Sequence, residues 1–397
     1  MITDRPLAQA ASWQPSIVFA LLLSYLGLFG MLIGAQGVLW AQIIEAMRLS
    51  KATFGTVQLA SPLLSVGLLM AGAQLAHWLG KKSLALVGLG FLLAANLALA
   101  LAGGLAGLVG ALLLTGVGNA LLETAANSAA LDWEQATGRS AMNMIHAAFS
   151  AGAVCGALAA GGLLGWGVAY PAVLLLLAAL CGLLLLISLP VRFPPVDTAE
   201  LAASGPLATL RVLFALPALL LLAAICVLGV VGESVSNLWS VIYLHDLGAD
   251  VLIGGATFAL FNGAMFAGRV ANSWVVGRWG ARASLLASGV GLVLANALLL
   301  PGNVALAVVG FVLMGLAVAG VVPTVLSAGA QLAPGRSAAV TGGIMAVAYT
   351  AFIICPPLTG WVADLVSLKV ALLVVGLSGL GILALARSLR VAPVPVE

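Results

Sequence analysis

Charge is what this sequence has least of. Only 7% of its 397 residues are Asp, Glu, Lys or Arg, where soluble domains carry about a quarter. Twelve acids and fifteen bases cannot cover a water-facing surface around a chain that is 63% hydrophobic, which excludes water as the main solvent. The formal net charge of +3 gives no reason to expect nucleic acid as a partner, and that class is set aside. Cysteine is scarce too. Cys155, Cys181, Cys226 and Cys355 all lie inside apolar runs without the paired spacing of a metal knuckle or redox motif, so packing is their expected role. The sequence offers no Gly-rich phosphate loop, metal-ligand cluster or nucleophile triad, so an ATP-driven pump, a membrane hydrolase or any cofactor enzyme has no support. A cleavable leader is not indicated. Arg5 is followed by a polar stretch and then a long apolar run from about Ser16, with no small-residue cleavage site at signal-peptide distance.

What the sequence has in quantity is long apolar runs. A membrane-spanning helix needs about 20 mostly apolar residues, and twelve such runs are marked near 16–44, 53–76, 83–102, 106–131, 140–162, 169–190, 212–244, 253–276, 283–300, 305–331, 338–361 and 369–388. The predicted fold class is an all-α membrane protein of twelve transmembrane helices in two six-helix bundles. The connection from Val191 to Arg211 holds Pro194-Pro195 and Gly205-Pro206 and divides the helices six and six. The expected domains are therefore 1–190, a cytoplasmic linker over 191–211, and 212–397. Cytoplasmic loops collect Lys and Arg. With the N-terminus inside, Arg5, Lys81, Lys82, Arg139, Arg192, Arg211, Arg278, Arg282, Arg336, Arg387 and Arg390 fall on the cytoplasmic side, against Arg48, Lys51 and Lys369 outside. Both termini are expected in the cytoplasm of a bacterium, with the chain in its inner membrane among lipid. The halves also echo one another, with Gly80-Lys81-Lys82 matching Gly280-Ala281-Arg282, and Trp40 and Trp239 preceding similar turns. Such repeats are expected of transporters.

Ionisable groups within hydrocarbon cost several kcal/mol unless paired or hydrated, so each is a functional candidate. Glu123 has Asn119 and Asn127 four residues to either side, which puts all three on one helical face. That stripe reads either as the wall of a water-filled cavity, with amides for a solute and a carboxylate for a proton, or as a hydrogen-bonded helix seam. Asn143, His146 and Ser150 share a face of the next run. His146 is open to two readings, a proton relay or solute ligand and a satisfied interhelical histidine. Glu233 precedes Ser236, Asn237 and Ser240 at helical spacing, and its bland alternative is a hydrated hinge carboxylate. Arg269, about two turns from the end of its run, suits a gate or a structural pair better than solute contact. Trp40, Trp239, Tyr25, Tyr243 and Tyr349 offer stacking surfaces, whereas Trp13, Trp78, Trp133, Trp166 and Trp361 read as interface anchors.

These motifs resemble the major facilitator superfamily, and within it the branch of the bacterial fucose permease and related sugar transporters. Glu123-Thr124-Ala125-Ala126-Asn127 after Gly116 and Gly118 is similar to that permease's fourth-helix segment with its proton-carrying glutamate. Gly268-Arg269 with Trp274 and Arg278, Pro323-Thr324 with Ser327 and Gly329, and Pro357, Gly360 and Asp364 extend the likeness along the chain. Met142-Asn143 with His146, and Gly232-Glu233 leading to Trp239, resemble other bacterial members. Two positions depart from the pattern. The branch's first-helix aspartate is matched by Gly37, beside Gln36, and the acidic position after the second helix is His77, with Gly277 in the second half.

The resemblance implies a secondary transporter working by alternating access, with proton-coupled symport of a sugar or similar small polar metabolite as the expected activity. Glu123, Glu233 and His146 are the proton-coupling candidates. Gln36, Asn119, Asn127, Asn143, Asn237, Trp239, Asn262 and Tyr349 are the solute-binding candidates, and Arg269, His77 and Arg278 the gate. The partners are a small solute, protons and lipid, with the chain acting as a monomer and without cofactor or metal. Three alternatives remain open: a proton-driven exporter of drugs or metabolites, an uncoupled facilitator, and a transporter-like sensor, which a long soluble extension would favour.

Overall fold

The computed structural model describes residues 14–137, 141–193, 213–214, 216–332 and 337–389. Its first half holds α1 (Pro15–Met47), α2 (Lys51–Val57), α3 (Ala60–Met70), α4 (Gly72–Leu79), α5 (Lys81–Ala100), α6 (Leu105–Thr137), α7 (Met142–Gly165) and α8 (Tyr170–Ser188). Its second half holds α9 (Pro217–Asp246), α10 (Val251–Leu299), α11 (Val304–Ala319), α12 (Val321–Leu332), α13 (Ser337–Ala348), α14 (Thr350–Leu365), α15 (Leu368–Ala371) and α16 (Leu373–Ser388). The linker expected over 191–211 falls mostly outside the described residues.

Eleven helical stretches are long and apolar enough to cross a bilayer. One of them, α10, has 49 residues, and at about 1.5 Å per residue it would run roughly 74 Å, more than twice the hydrocarbon thickness of about 30 Å. Gly280 resolves the excess. Its backbone is non-helical (φ 82°, ψ 167°), in a region open to glycine and closed to most side chains, so α10 is two passes joined at a sharp turn. The fold therefore has twelve passes. Gly80, between α4 and α5, takes nearly the same conformation (φ 79°, ψ 146°), which gives the sequence echo between these two turns a shared backbone geometry.

Four passes expected as unbroken helices are interrupted. The second divides at Gln58 and Leu59 and again at Ala71, the tenth at Gly320, the eleventh at Tyr349 and the twelfth at Leu372. Proline accounts for two of the breaks. Pro62 has no N–H for the Gln58 carbonyl four residues back, and Pro323 has none for Ala319.

Within a bundle, backbones approach where glycine allows it. In α1, a Cβ on Gly30 or Gly34 would run into the backbone of Phe149 or Ala153 in α7, and Gly152 and Gly156 stand equally close to α1. Small residues that admit such crossings supply the packing that apolar solvent cannot drive. The outside is oily. Leu180, Leu183 and Leu186 of α8 are exposed, as expected of a surface meeting lipid. Among the expected interface anchors, Trp78, Trp166 and Trp361 are exposed and Trp13 lies outside the described residues. Trp133 is a correction. It is 3% exposed, stacks on Phe19 and donates its indole N–H to the Pro15 carbonyl at 2.8 Å, so it packs α6 against α1.

Among the described residues, the contacts between the two bundles gather toward the face carrying the turns after α1 and α9. There Gly55 of α2 meets Pro356 of α14, Gly360 meets Lys51, and Gly161 of α7 meets Gly255 of α10. The Asp364 carboxylate accepts the backbone N–H groups of Lys51 (3.0 Å) and Ala52 (2.9 Å) at the start of α2. Lys51 pairs with Asp246 at 2.9 Å, Glu45 lies 3.8 Å from His245, and Trp361 donates to Thr56 at 3.0 Å. On the opposite face, the polar contacts among the described residues stay inside a bundle. Lys81 pairs with Asp132, Lys82 reaches the Leu189 carbonyl, and Asn272 donates to Thr324 at 3.0 Å.

Candidate functional site

A cavity of about 440 Å³ lies between the bundles, walled by α1, α3, α6, α7, α9, α10 and α14, with Gln58 at the α2–α3 break and Tyr349 at the α13–α14 break. It gathers eight of the sequence candidates: Gln36, Asn119, Glu123, His146, Glu233, Asn237, Arg269 and Tyr349. Four different helices and one helix break supply the five ionisable groups, so their meeting is a product of bundle packing.

Position along the helices sorts these groups into two layers. Counted at about 1.5 Å per residue from the helix ends at the closed face, Gln58, Asn237 and Gln36 lie roughly 10–17 Å in, and Glu233, Asn119, Tyr349, Glu123, Arg269 and His146 roughly 20–28 Å in. The first layer is uncharged and the second holds all the charge. Neither Glu123 nor Glu233 has a hydrogen-bond or ion-pair partner among the described residues. Arg269 is near enough to act electrostatically on both Glu233 and His146, and both carboxylates act on Tyr349. The guanidinium itself holds only a long contact to Met265 sulfur, at 3.6 Å. His146 and Arg269 are exposed, while Glu123 and Glu233 are partly buried. Two unpaired carboxylates in one cavity, with Glu233 within electrostatic reach of Arg269, can exchange a proton, re-pair with a cation, or hold a solute.

The remaining candidates lie elsewhere. Asn262 is 5% exposed and donates to the Phe258 carbonyl of its own helix at 3.0 Å. Asn127 is off the cavity wall, its Oδ1 buried without a partner. Arg278 is exposed near the Gly280 turn. The side chains of Asn143 and His77 lie outside the described residues. Trp239 is fully buried. Its ring meets Phe54 edge-on, with centroids 5.7 Å apart, and Phe54 in turn meets Trp40 at 5.6 Å. These three rings, from α9, α2 and α1, join the two bundles beyond the closed end of the cavity, and of the three only Trp40 reaches its wall.

Gly37 explains the missing first-helix carboxylate. A Cβ there would stand 2.5 Å from the ring of Phe258 in α10, so the place where the resemblance puts an aspartate is filled by the facing bundle. The sequence reading missed Gln58, whose side chain lines the cavity. The available signal was Pro62, four residues on, which opens the helix at that point.

Twelve passes in two bundles, with a cavity between them that holds several polar and ionisable groups, are the architecture of a multi-pass membrane transporter. The chain belongs to the Major Facilitator Superfamily, whose family model matches residues 17–351 and again 235–397. An uncharacterized transporter of Sinorhizobium fredii, y4wD, is 30% identical over 365 residues, which is 88% of this chain and 92% of that one. Among solved structures, a mutant of the nucleoside transporter NupG superposes with a TM-score of 0.83 at 15% identity, covering 94% of this chain and 99% of the other. The Escherichia coli fucose:proton symporter FucP superposes with a TM-score of 0.63 at 17% identity, covering 93% and 97%. At these identities the two structures are similar in fold.

Proposed function

We propose that this protein is a proton-coupled symporter of a sugar or similar small polar metabolite, with Glu123 as the titrating group. The observation that carries this reading is the unpaired Glu123 carboxylate in a cavity that also holds Glu233, Arg269 and several amides. A carboxyl without a fixed partner takes up a proton when the cavity closes around it and releases one when water returns. Glu233, in the repeat equivalent of the first helix, substitutes for the carboxylate that Phe258 excludes at position 37. The domains are 1–190 and 212–397, joined by a cytoplasmic linker over 191–211. The chain works as a monomer in a bacterial inner membrane, with both termini inside.

The distribution of Lys and Arg sets the orientation. It places the closed face, with Lys51 and Asp246, outside, and the turns at Gly80 and Gly280 in the cytoplasm, so the described state faces inward. An uncoupled facilitator is the second reading, favoured by the occupied space at Gly37.

Proteoliposomes loaded with a pH-sensitive dye separate the two. Solute uptake with proton entry, lost in Glu123→Gln, establishes symport. Equal solute movement in both proteins without proton movement establishes a facilitator and removes Glu123 from its role.

A further inference from the structure

Two amide residues on the cavity wall each hold a buried atom without a hydrogen-bond partner among the described residues. Gln58 is 9% exposed and its Nε2 is buried without a partner, as is Oδ1 of Asn237. Buried polar atoms are nearly always hydrogen-bonded, and an orphaned one in a native structure calls for an explanation. Two hydroxyls of the cavity wall are already satisfied: Ser65 donates to the Gly116 carbonyl at 2.9 Å and Thr115 to the Ala111 carbonyl at 2.9 Å. Gln58 and Asn237 sit on opposite bundles, α9 carrying one and the α2–α3 break the other, in the uncharged layer at the closed end. The break matters, because an interrupted helix frees backbone and side-chain groups that many transporter folds use for recognition.

We propose that Gln58 and Asn237 form a two-bundle amide clamp that recognises an uncharged solute through an adjacent hydrogen-bond donor and acceptor, as a hydroxylated ring presents. Each amide offers both a donor and an acceptor whichever way it is turned, so the pairing does not depend on the amide orientation. A solute hydroxyl fills both needs at once. Glu233 lies one turn from Asn237 toward the open side, so the clamp itself is made of uncharged amides, and an anionic group at the clamped end of the solute would meet that carboxylate. Because the amides belong to different bundles, a solute held by both ties the bundles together. This inference rests on the proposed sugar-like substrate class but not on proton coupling.

The test has two readouts on purified full-length protein. Without solute, Gln58→Met removes an unsatisfied amide and should raise Tm by roughly 1–3 °C; a lower Tm means that the amide serves a structural bond and overturns the proposal. With solute, binding is measured for D-xylose, L-fucose and uridine, with D-glucuronate and choline as charged controls. The expected result is binding of at least one neutral ring compound, weakened about tenfold or more in Gln58→Met and in Asn237→Leu, with the double variant losing less than the two losses combined. Binding only of the charged compounds, binding of none, or neutral binding unchanged within about twofold in both variants overturns it. Proton movement in wild type is recorded separately, so a failed coupling and a failed clamp give different results.

Discussion

Glu123 and Glu233 are both unpaired cavity carboxylates, yet they call for different outcomes. Uptake by wild type should rise as the outer solution is acidified, because protonation of the empty carrier is then the favoured step. In Glu123→Gln the pH profile should be flat and proton movement lost, as measured by dye-loaded vesicles. Glu233→Gln should also reduce coupling if it stands in for the first-helix carboxylate. Intact proton coupling in that variant would remove it from the pathway. At Gly37 the prediction is steric. Gly37→Asp places a side chain against Phe258 and cannot restore an ordinary first-helix carboxylate. It should hold the bundles apart and impair transport, which a rate assay alongside Glu233→Gln would show. The ionisable residues were legible in the sequence one by one, since a charge in an apolar run stands out. Gln58 was not, because a single uncharged amide inside the 53–76 run does not stand out as a charge does.

At the scale of elements, the crossing of α1 on α7 is the most constrained contact. A side chain at Gly34 meets the Ala153 backbone, and rigid backbone cannot yield as a flexible side chain can. Gly34→Val should cost about 1–3 kcal/mol or more, seen as a lower Tm in detergent. Gly67→Ala, in a part of α3 with no atom near the added methyl, should be neutral or stabilising by up to about 1 kcal/mol. Apolar runs placed the twelve passes within several residues. They did not reveal the breaks at Leu59, Gly320 and Tyr349, since hydropathy averages over a window and a missing hydrogen bond leaves it unchanged.

For the molecule as a whole, the asymmetry between the two faces is the central fact. Asp364 on two backbone N–H groups, Lys51 on Asp246 and the three-ring contact at Phe54 all hold one side shut. Asp364 is exposed, and screening by solvent reduces such bonds to about 1 kcal/mol each. Asp364→Asn should therefore shift the balance between the two states by about fivefold or more. A cysteine at Ser61 on the cavity wall, in a background with Cys155 replaced, reports that shift. Its labelling by an impermeant thiol reagent from the Lys51 side should speed up, and an unchanged rate would mean that Asp364 does not hold the closed state.

The sequence by itself determined the solvent, the number of passes, the doubled architecture and the short roster of ionisable residues. Each of those follows from local pattern: a run of apolar side chains, a glycine turn that occurs in both halves, a charge where charge is costly. Only the tertiary structure decided which candidates share a cavity. Asn262 satisfied itself on its own helix, Trp239 went into an aromatic contact, and Gln58 entered the site. The physical reason is that these outcomes depend on how one helix lies against another, down to the ring of Phe258 filling the space over Gly37, and that register is set between residues hundreds of positions apart.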